Sequence, residues 1–589
     1  MEGGNLMSSY LSELCRFYDR LSADPESGMP PEGMSAEQIS FALVISEDGK
    51  LVSIQDLRDG KGRAARFFVP AAVKRSVNVA SNFLWDNTGY ALGVDGKGKP
   101  KRTLQTAESF KMLHRQLLAS CDDVHAKALL AFLEVWRPEM FEELDEKEAL
   151  LDSNIIFKLR GHEKWLHEAE ALQKIWHSSL KPERGGIDTS VCLITGERGL
   201  VAPTHPSVKG VPGAQSSGAA LISFNCPAFT SYGKEQNANA PVTENAARAY
   251  TSALNYLLRR EHRQTVRIGD TSIVYWTDKA DPAETMLASL FDLDPASTPP
   301  QDQAQLDRLK GILKNLRKGC PLNEADKELN SGARFFILGL APNAARLSVR
   351  FWLTDTLEAL LKHLSRWYED LSIERQYPGS EPEFPPLWLL LLRTVAAQEK
   401  SENIPPALGG QMARAVFSGS NLPENAYAAA LQRIHADKKV NYFRASFIKA
   451  YLCRNKHEEK DMTTLNRDED NIGYRLGRLF ALLEKAQKDA LGPVNAPLRE
   501  RYIGAASATP RLVFPMLLRL NQHHITKAKK GGSEGYEVWF HKIIGEIVGS
   551  ISAFPAVLSL EDQGRFMLGY YHQVTALYAK KTDTAQPGE

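Results

Sequence analysis

Apolar residues recur at helical spacing from about Met7 to Leu21, where Leu11, Leu14, Phe17, Tyr18 and Leu21 share one face. The chain then meets a run of turn formers, Asp24-Pro25-Glu26-Ser27-Gly28-Met29-Pro30-Pro31. Two apolar-rich runs follow, Ile39 to Ile45 and Leu51 to Leu57. The Asp48-Gly49 pair between them predicts a β-hairpin. Residues 105–150 are helical in pattern. From Thr189 to Trp276 the pattern predicts buried strands at Val191–Ile194, Ala220–Phe224 and Ser272–Trp276, with a helix over 244–260. Residues 280–305, rich in Pro, Asp and Gln, read as a linker, and the chain is mainly helical beyond Leu347. Near the end, Ile472, Leu476, Leu479 and Leu483 line one helix face. Further helices near 509–528, 534–551 and 560–580 complete the pattern of a small bundle. The expectation is an α+β protein: a mixed α/β region with short sheets over 1–300, a mainly helical connection over 301–460, and a C-terminal helical bundle over 461–589.

Composition narrows this little. The chain has 589 residues, too many for one ordinary core, with 43% hydrophobic and 24% charged residues. Its longest apolar run, Leu387 to Val395, is interrupted by Arg393 and falls short of the roughly 20 residues of a membrane helix. The N-terminus lacks the basic-then-apolar layout of a signal peptide. Cys15, Cys121, Cys192, Cys226, Cys320 and Cys453 form no CxxC pair and are expected to be reduced thiols of a cytoplasmic protein. A net charge of +1 leaves room for local basic patches offset elsewhere.

Catalytic constellations are hard to find. There is no HExxH, and the Cys and His spacings match no zinc site. Asp468-Glu469-Asp470 are adjacent, so they cannot all face one metal; they suit a solvated first helical turn. Gly93-Val94-Asp95-Gly96-Lys97-Gly98-Lys99 has phosphate-loop spacing. Pro100, however, stands where that motif needs a Ser or Thr for Mg²⁺. A basic loop is the better reading, with Lys97, Lys99, Lys101 and Arg102 available to a phosphate backbone. The chain is therefore expected to be no enzyme and to need no metal or cofactor.

Three polar stretches suit nucleic acid instead. The first carries Lys74, Arg75, Ser76, Asn78, Asn82, Phe83 and Asn87: cations for phosphates, amides for base edges, and an aromatic ring that either stacks on bases or packs in a core. The second is the loop Gly210 to Gly218, where Gly210 and Gly213 permit close backbone approach and Gln215, Ser216 and Ser217 offer polar contacts. The third, Ser231 to Pro241, holds Lys234, Gln236 and Asn237 and serves equally as a turn. In the C-terminal bundle, Arg475, Arg478, Lys485, Lys488, Arg519, Lys527, Lys529 and Lys530 form either a solvated face or a track for a nucleic-acid backbone.

Several blocks carry a family resemblance. Phe17-Tyr18-Asp19-Arg20-Leu21, Asn82-Phe83-Leu84-Trp85-Asp86-Asn87 and Cys192-Leu193-Ile194-Thr195-Gly196-Glu197 are three of them. His205-Pro206-Ser207-Val208-Lys209-Gly210-Val211, Ser231-Tyr232-Gly233-Lys234, Gly339-Leu340-Ala341-Pro342-Asn343 and Tyr474-Arg475-Leu476-Gly477-Arg478-Leu479 continue the series. In this order they resemble the large subunit of the type I-C (Dvulg-subtype) CRISPR Cascade complex, although that family often has Ser at the place of Ala341. The resemblance implies a non-catalytic subunit of a guide-RNA complex, seated with its backbone and foot subunits. Such a subunit reads a short protospacer-adjacent motif (PAM) in double-stranded target DNA, aids strand separation and recruits a separate helicase-nuclease. It further implies that the C-terminal bundle resembles the small subunit, which type I-C systems make from within the same gene. The alternatives are a scaffold that does not touch DNA, or a nucleotidase or nuclease using the Gly93–Lys99 loop.

Overall fold

The computed structural model describes residues 9–73, 75, 79–96, 98–180, 189–291, 300–457, 462–493, 495–529 and 535–579. Lys74, Ser76, Asn78, Lys97 and Lys530 lie outside the described residues, and Lys529 is placed only as helix backbone. The chain divides into two compact units. One comprises Met1–Val208 and Ala220–Tyr256, the other Lys209–Ala219 and Leu257–Glu589. The pattern boundaries near residues 300 and 460 both fall inside the second unit.

The first unit is built on Phe41–Ile45, five consecutive buried residues that form an inner strand. Its sheet runs in the order Leu51–Asp56, Phe41–Ile45, Asn154–Leu159, Trp85–Asn87, with only the middle pair parallel. The Asp-Gly hairpin forms as its sequence dictates. Gly49 has φ +82°, and a Cβ there would strike the backbone of Ala131, so no other residue fits. The helices Pro100–Leu118 and Val124–Val135 bury Phe110, Leu118, Leu129 and Phe132 in the same core. A ribbon of Met34–Ile39 with Ala65–Pro70 and a short hairpin of Thr189–Val191 with Arg198–Leu200 complete the strands described here.

The second unit holds an antiparallel sheet ordered Arg346–Thr356, Arg334–Asn343, Thr271–Thr277, Thr265–Ile268. Helices cover it, and one apolar core continues from Val266 through Leu364, Leu452 and Leu479 to Tyr571. The C-terminal helices are Ile472–Leu491, Leu498–Ala508, Pro510–Lys529, Gly535–Gly549 and Leu560–Tyr578. The first and last of these meet at glycines. A Cβ on Gly477 would run into the Phe566 carbonyl, and one on Gly569 into that of Tyr474.

The α+β class and the late helices match expectation. Three local readings need correcting. Ala220–Phe224 forms no strand: pairing stops at a single bridge residue, Ala220, and the segment walls a cleft instead. The strand expected at Val191–Ile194 ends at Val191, because Gly196, at φ +77°, folds Cys192–Glu197 into a tight turn. Residues 280–305 hold helices Ala283–Met286 and Ala288–Phe291 and the start of Pro300–Arg317, since Met286, Leu287 and Leu290 are core residues. Among the described residues, no helix is long and apolar enough to cross a membrane. All six cysteines are unpaired.

Candidate nucleic-acid interface

The first polar stretch turns inward. Asp86 is 1% exposed, and Arg75 closes on it with two nitrogens, Nη1 at 3.0 Å from Oδ1. Arg75 Nε also donates to the Ala80 carbonyl at 2.6 Å, and its guanidinium lies 3.7 Å from the centre of the Tyr90 ring. Burial pushes the Asp86 carboxyl up, opposed by Arg75 and by the amides of Asn82 and Asn87. Asn82 is buried and accepts from the Val73 amide at 2.9 Å. Phe83 stacks between the His114 and Trp176 rings, at 5.3 and 5.6 Å. Asn87 caps the short helix Thr88–Ala91 through the Tyr90 amide. Of the two readings of Phe83, the structure adopts the core, and Arg75, Asn82 and Asn87 are likewise engaged within the fold.

The phosphate-loop lookalike is held differently from a phosphate cradle. The Gly96 amide donates to the Asp152 carboxylate at 3.3 Å, and Thr103 Oγ1 donates to Asp95 at 2.7 Å. Pro100 takes the first position of its helix, where a missing amide costs nothing. Lys99, Lys101 and Arg102 are exposed.

The glycine loop belongs to the second unit. Gly210, at φ +90°, lies against Leu258, and Gly213, at φ +86°, lies against Pro342. A Cβ would come within 3.3 and 3.1 Å of those side chains. Val211 and Ala219 are buried and anchor the loop, while Gln215, Ser216 and Ser217 face solvent. These glycines thus serve the loop's own seat, and the three polar side chains are its accessible part.

The third stretch belongs to the first unit. Residues 225–236 are exposed throughout, with Lys234 and Gln236 among them. The turn Ser231-Tyr232-Gly233-Lys234 has positive φ at both central residues, +51° and +70°, as a tight hairpin turn requires. Asn239 props it from below: its Oδ1 accepts from the Ser231 amide at 3.0 Å, and its Nδ2 donates to the Lys234 and Gln236 carbonyls, both at 2.8 Å. Asn237 is buried and donates to the Ala202 carbonyl at 2.8 Å. Where the segment leaves and rejoins the body, a small open cleft lies between Pro203, Thr204, His205, Phe224, Asn225, Gln236 and Asn237. Composition points to this segment without singling out Tyr232 or Asn239. The signal for them is the Tyr-Gly pair in a turn with an amide a few residues on.

In the bundle the cations divide. Arg478 is 4% exposed and donates to the Arg467 carbonyl at 2.9 Å and to Gln573 at 3.3 Å; burial lowers its pKa. Arg475 pairs with Asp470 and donates to the Glu469 and Ser550 carbonyls at 2.7 and 3.0 Å. Lys485 is bound to Asp489 at 2.6 Å. The acidic triplet precedes the helix capped by Asn471 rather than forming its first turn. Lys488, Arg519 and Lys527 stand on the surface, Lys488 beside Tyr578. Among the described residues, no group of three or more His, Cys, Asp or Glu is arranged to hold a metal ion.

The architecture defines an α+β protein of two compact units, each of which holds a polar loop at its surface on a packed core. The chain belongs to the family described as CRISPR-associated protein (Cas_Csd1), which it matches over residues 14–578. It is thus a CRISPR-associated protein of Cascade type. No curated protein matches it.

Proposed function

We propose that this chain is the non-catalytic large subunit of a type I-C Cascade. In this reading it recognises the PAM in duplex DNA, assists strand separation and R-loop formation, and recruits the helicase-nuclease. The observation that carries it is the exposed 225–236 segment, a hairpin held rigidly by Asn239 and presenting Lys234 and Gln236. A loop of polar side chains on a fixed scaffold suits contact with base edges and backbone. Gln215, Ser216 and Ser217 offer a second set of polar contacts, and Lys488, Arg519 and Lys527 suit the displaced strand. The guide RNA, backbone subunits, small subunits and helicase-nuclease are the partners this role requires.

The test is binding of the assembled complex to target duplexes with and without the PAM. Gln215→Ala and Gln236→Ala are expected to narrow the difference between the two, because a hydrogen-bonded base pairing with a side chain is worth about 1–3 kcal/mol at the base it reads. Equal affinity of the unaltered complex for both duplexes would overturn the reading.

A further inference from the structure

The 225–236 segment has features that reading a duplex does not require. Tyr232 is 99% exposed, an unusual place for a large aromatic side chain. It also sits at φ +51°, in the left-handed region that a bulky residue avoids. Glycine or asparagine would make the same turn with less strain. A residue that costs backbone energy and packs against so little of its own protein is best explained by what its side chain meets.

The chemistry of that partner can be narrowed. Between Asn225 and Gln236 the only charged residues are Lys234 and Glu235, so the segment has no net charge with which to grip phosphates. An aromatic ring does offer a stacking face, which every base can use. At the root of the hairpin lies the cleft already described. Its lining is partly apolar, from Pro203, Ile222 and Phe224, and includes the side-chain amide of the exposed Gln236. An amide pairs a donor with an acceptor and so matches the edge of a base. The cleft is small and open to solvent, and its back wall is fixed by the Asn237 bond to Ala202 and the pairing of His205 with Tyr250.

We propose that the hairpin and cleft form a binding site for unpaired nucleobases: Tyr232 stacks on one base of an opened strand, and the cleft receives another. This rests on the DNA-binding role proposed above and extends it from paired to unpaired bases. The contact is with bases and adds no phosphate contact. The preference for unpaired DNA is therefore largely independent of salt, while overall affinity falls as salt rises.

The test uses the full-length chain with a duplex and with the same duplex carrying a short mismatched bubble labelled with 2-aminopurine. The wild-type chain is expected to prefer the bubble and to change the probe's fluorescence by stacking. Tyr232→Ala is expected to lower the preference by roughly 10-fold and to leave duplex affinity in place. Tyr232→Phe should retain it, since the ring and not the hydroxyl does the stacking. Tyr232→Gly should raise the thermal midpoint, by relieving the left-handed residue, and lose the preference all the same. Gln236→Ala, exposed and so without a cavity penalty, should weaken the preference separately. Equal wild-type binding to bubble and duplex, or a Tyr232→Ala chain as selective as wild type, overturns the site and leaves the parent role standing. Binding to neither DNA overturns the site, and the parent role is decided by the assembled complex.

Discussion

Arg75 shows how the same side chain can serve a fold as readily as a ligand. Its partner Asp86 is buried, so removing the guanidinium strands a carboxylate that burial already disfavours. Arg75→Ala is expected to destabilise the first unit by about 3–5 kcal/mol. Arg75→Ala with Asp86→Asn should recover much of that loss, as urea unfolding of the two variants would show. Buried histidines make a second residue-level prediction. Burial holds His114, His167 and His572 down to about 4, against an ordinary value of 6.5. Each is neutral in the fold, so its share of stability is complete above 6.5 and is lost as pH falls through 6.5 towards 4. The slope is about 1.4 kcal/mol per histidine per pH unit. Urea midpoints measured down that range should decline. His572→Asn, which keeps a partner for the Tyr474 hydroxyl, should flatten the decline by one histidine's share. The Asn82–Asn87 block was legible as important from its residues, but not as core. Lys, Arg and Asn in a row describe a phosphate contact and a buried ion pair equally well, and only the position of Asp86 between Arg75 and the Asn82 amide decides.

Elements were legible wherever one periodic face did the packing. The helices Ile472–Leu491, Pro510–Lys529, Gly535–Gly549 and Leu560–Tyr578 fall within a few residues of their expected spans. The hairpin of Arg334–Asn343 with Arg346–Thr356 was hidden, because Gly339 and Pro342 are poor strand residues. The structure explains Gly339: the Phe351 ring occupies the space a Cβ would take. Close helix packing accounts for the Tyr474–Leu479 block in the same way. Tyr474 meets His572 at 2.9 Å, Arg478 meets Gln573, and Gly477 lets the two helices touch. Gly477→Ala should gain up to about 1 kcal/mol in helix propensity. It should lose more by forcing the helices apart, since overpacking alone costs about 1–3 kcal/mol. A lowered thermal midpoint is the expected result, and an unchanged one would show that the helices slide at little cost.

At the scale of the whole molecule, Lys488, Arg519 and Lys527 are exposed cations of the bundle that the proposed role assigns to a displaced strand. Replacing all three by Ala should reduce the salt slope of target binding by about 0.7 for each single-strand phosphate that is no longer neutralised. An unchanged slope would turn that face away from DNA. Translation from Met462 is the second prediction. It would yield residues 462–589, about 14 kDa, as a free helical product joining the complex. In the full chain, the helix Leu560–Tyr578 packs on Tyr427 and Ile448, Lys456 pairs with Glu561, and Tyr571 donates to the Glu374 carbonyl. A product lacking residues before 462 uncovers that face and must cover it with another subunit. Met462→Leu preserves the apolar side chain and should abolish a small band that co-purifies with the wild-type complex. Absence of the band from both preparations sinks the idea.

The path of the chain between its two units has a consequence for how such proteins can be recombined. It crosses from one unit to the other after Val208, returns after Ala219, and crosses again after Tyr256. The glycine loop therefore takes its seat, Leu258 and Pro342, from a unit other than the one encoded on either side of it. A chimera joined once, anywhere between Ala219 and Tyr256, gives the loop one parent and its seat another. Grafting a different 225–236 hairpin between two relatives leaves both units whole. Exchange of short segments is thus open at the hairpin, and at the glycine loop only when Leu258 and Pro342 travel with it.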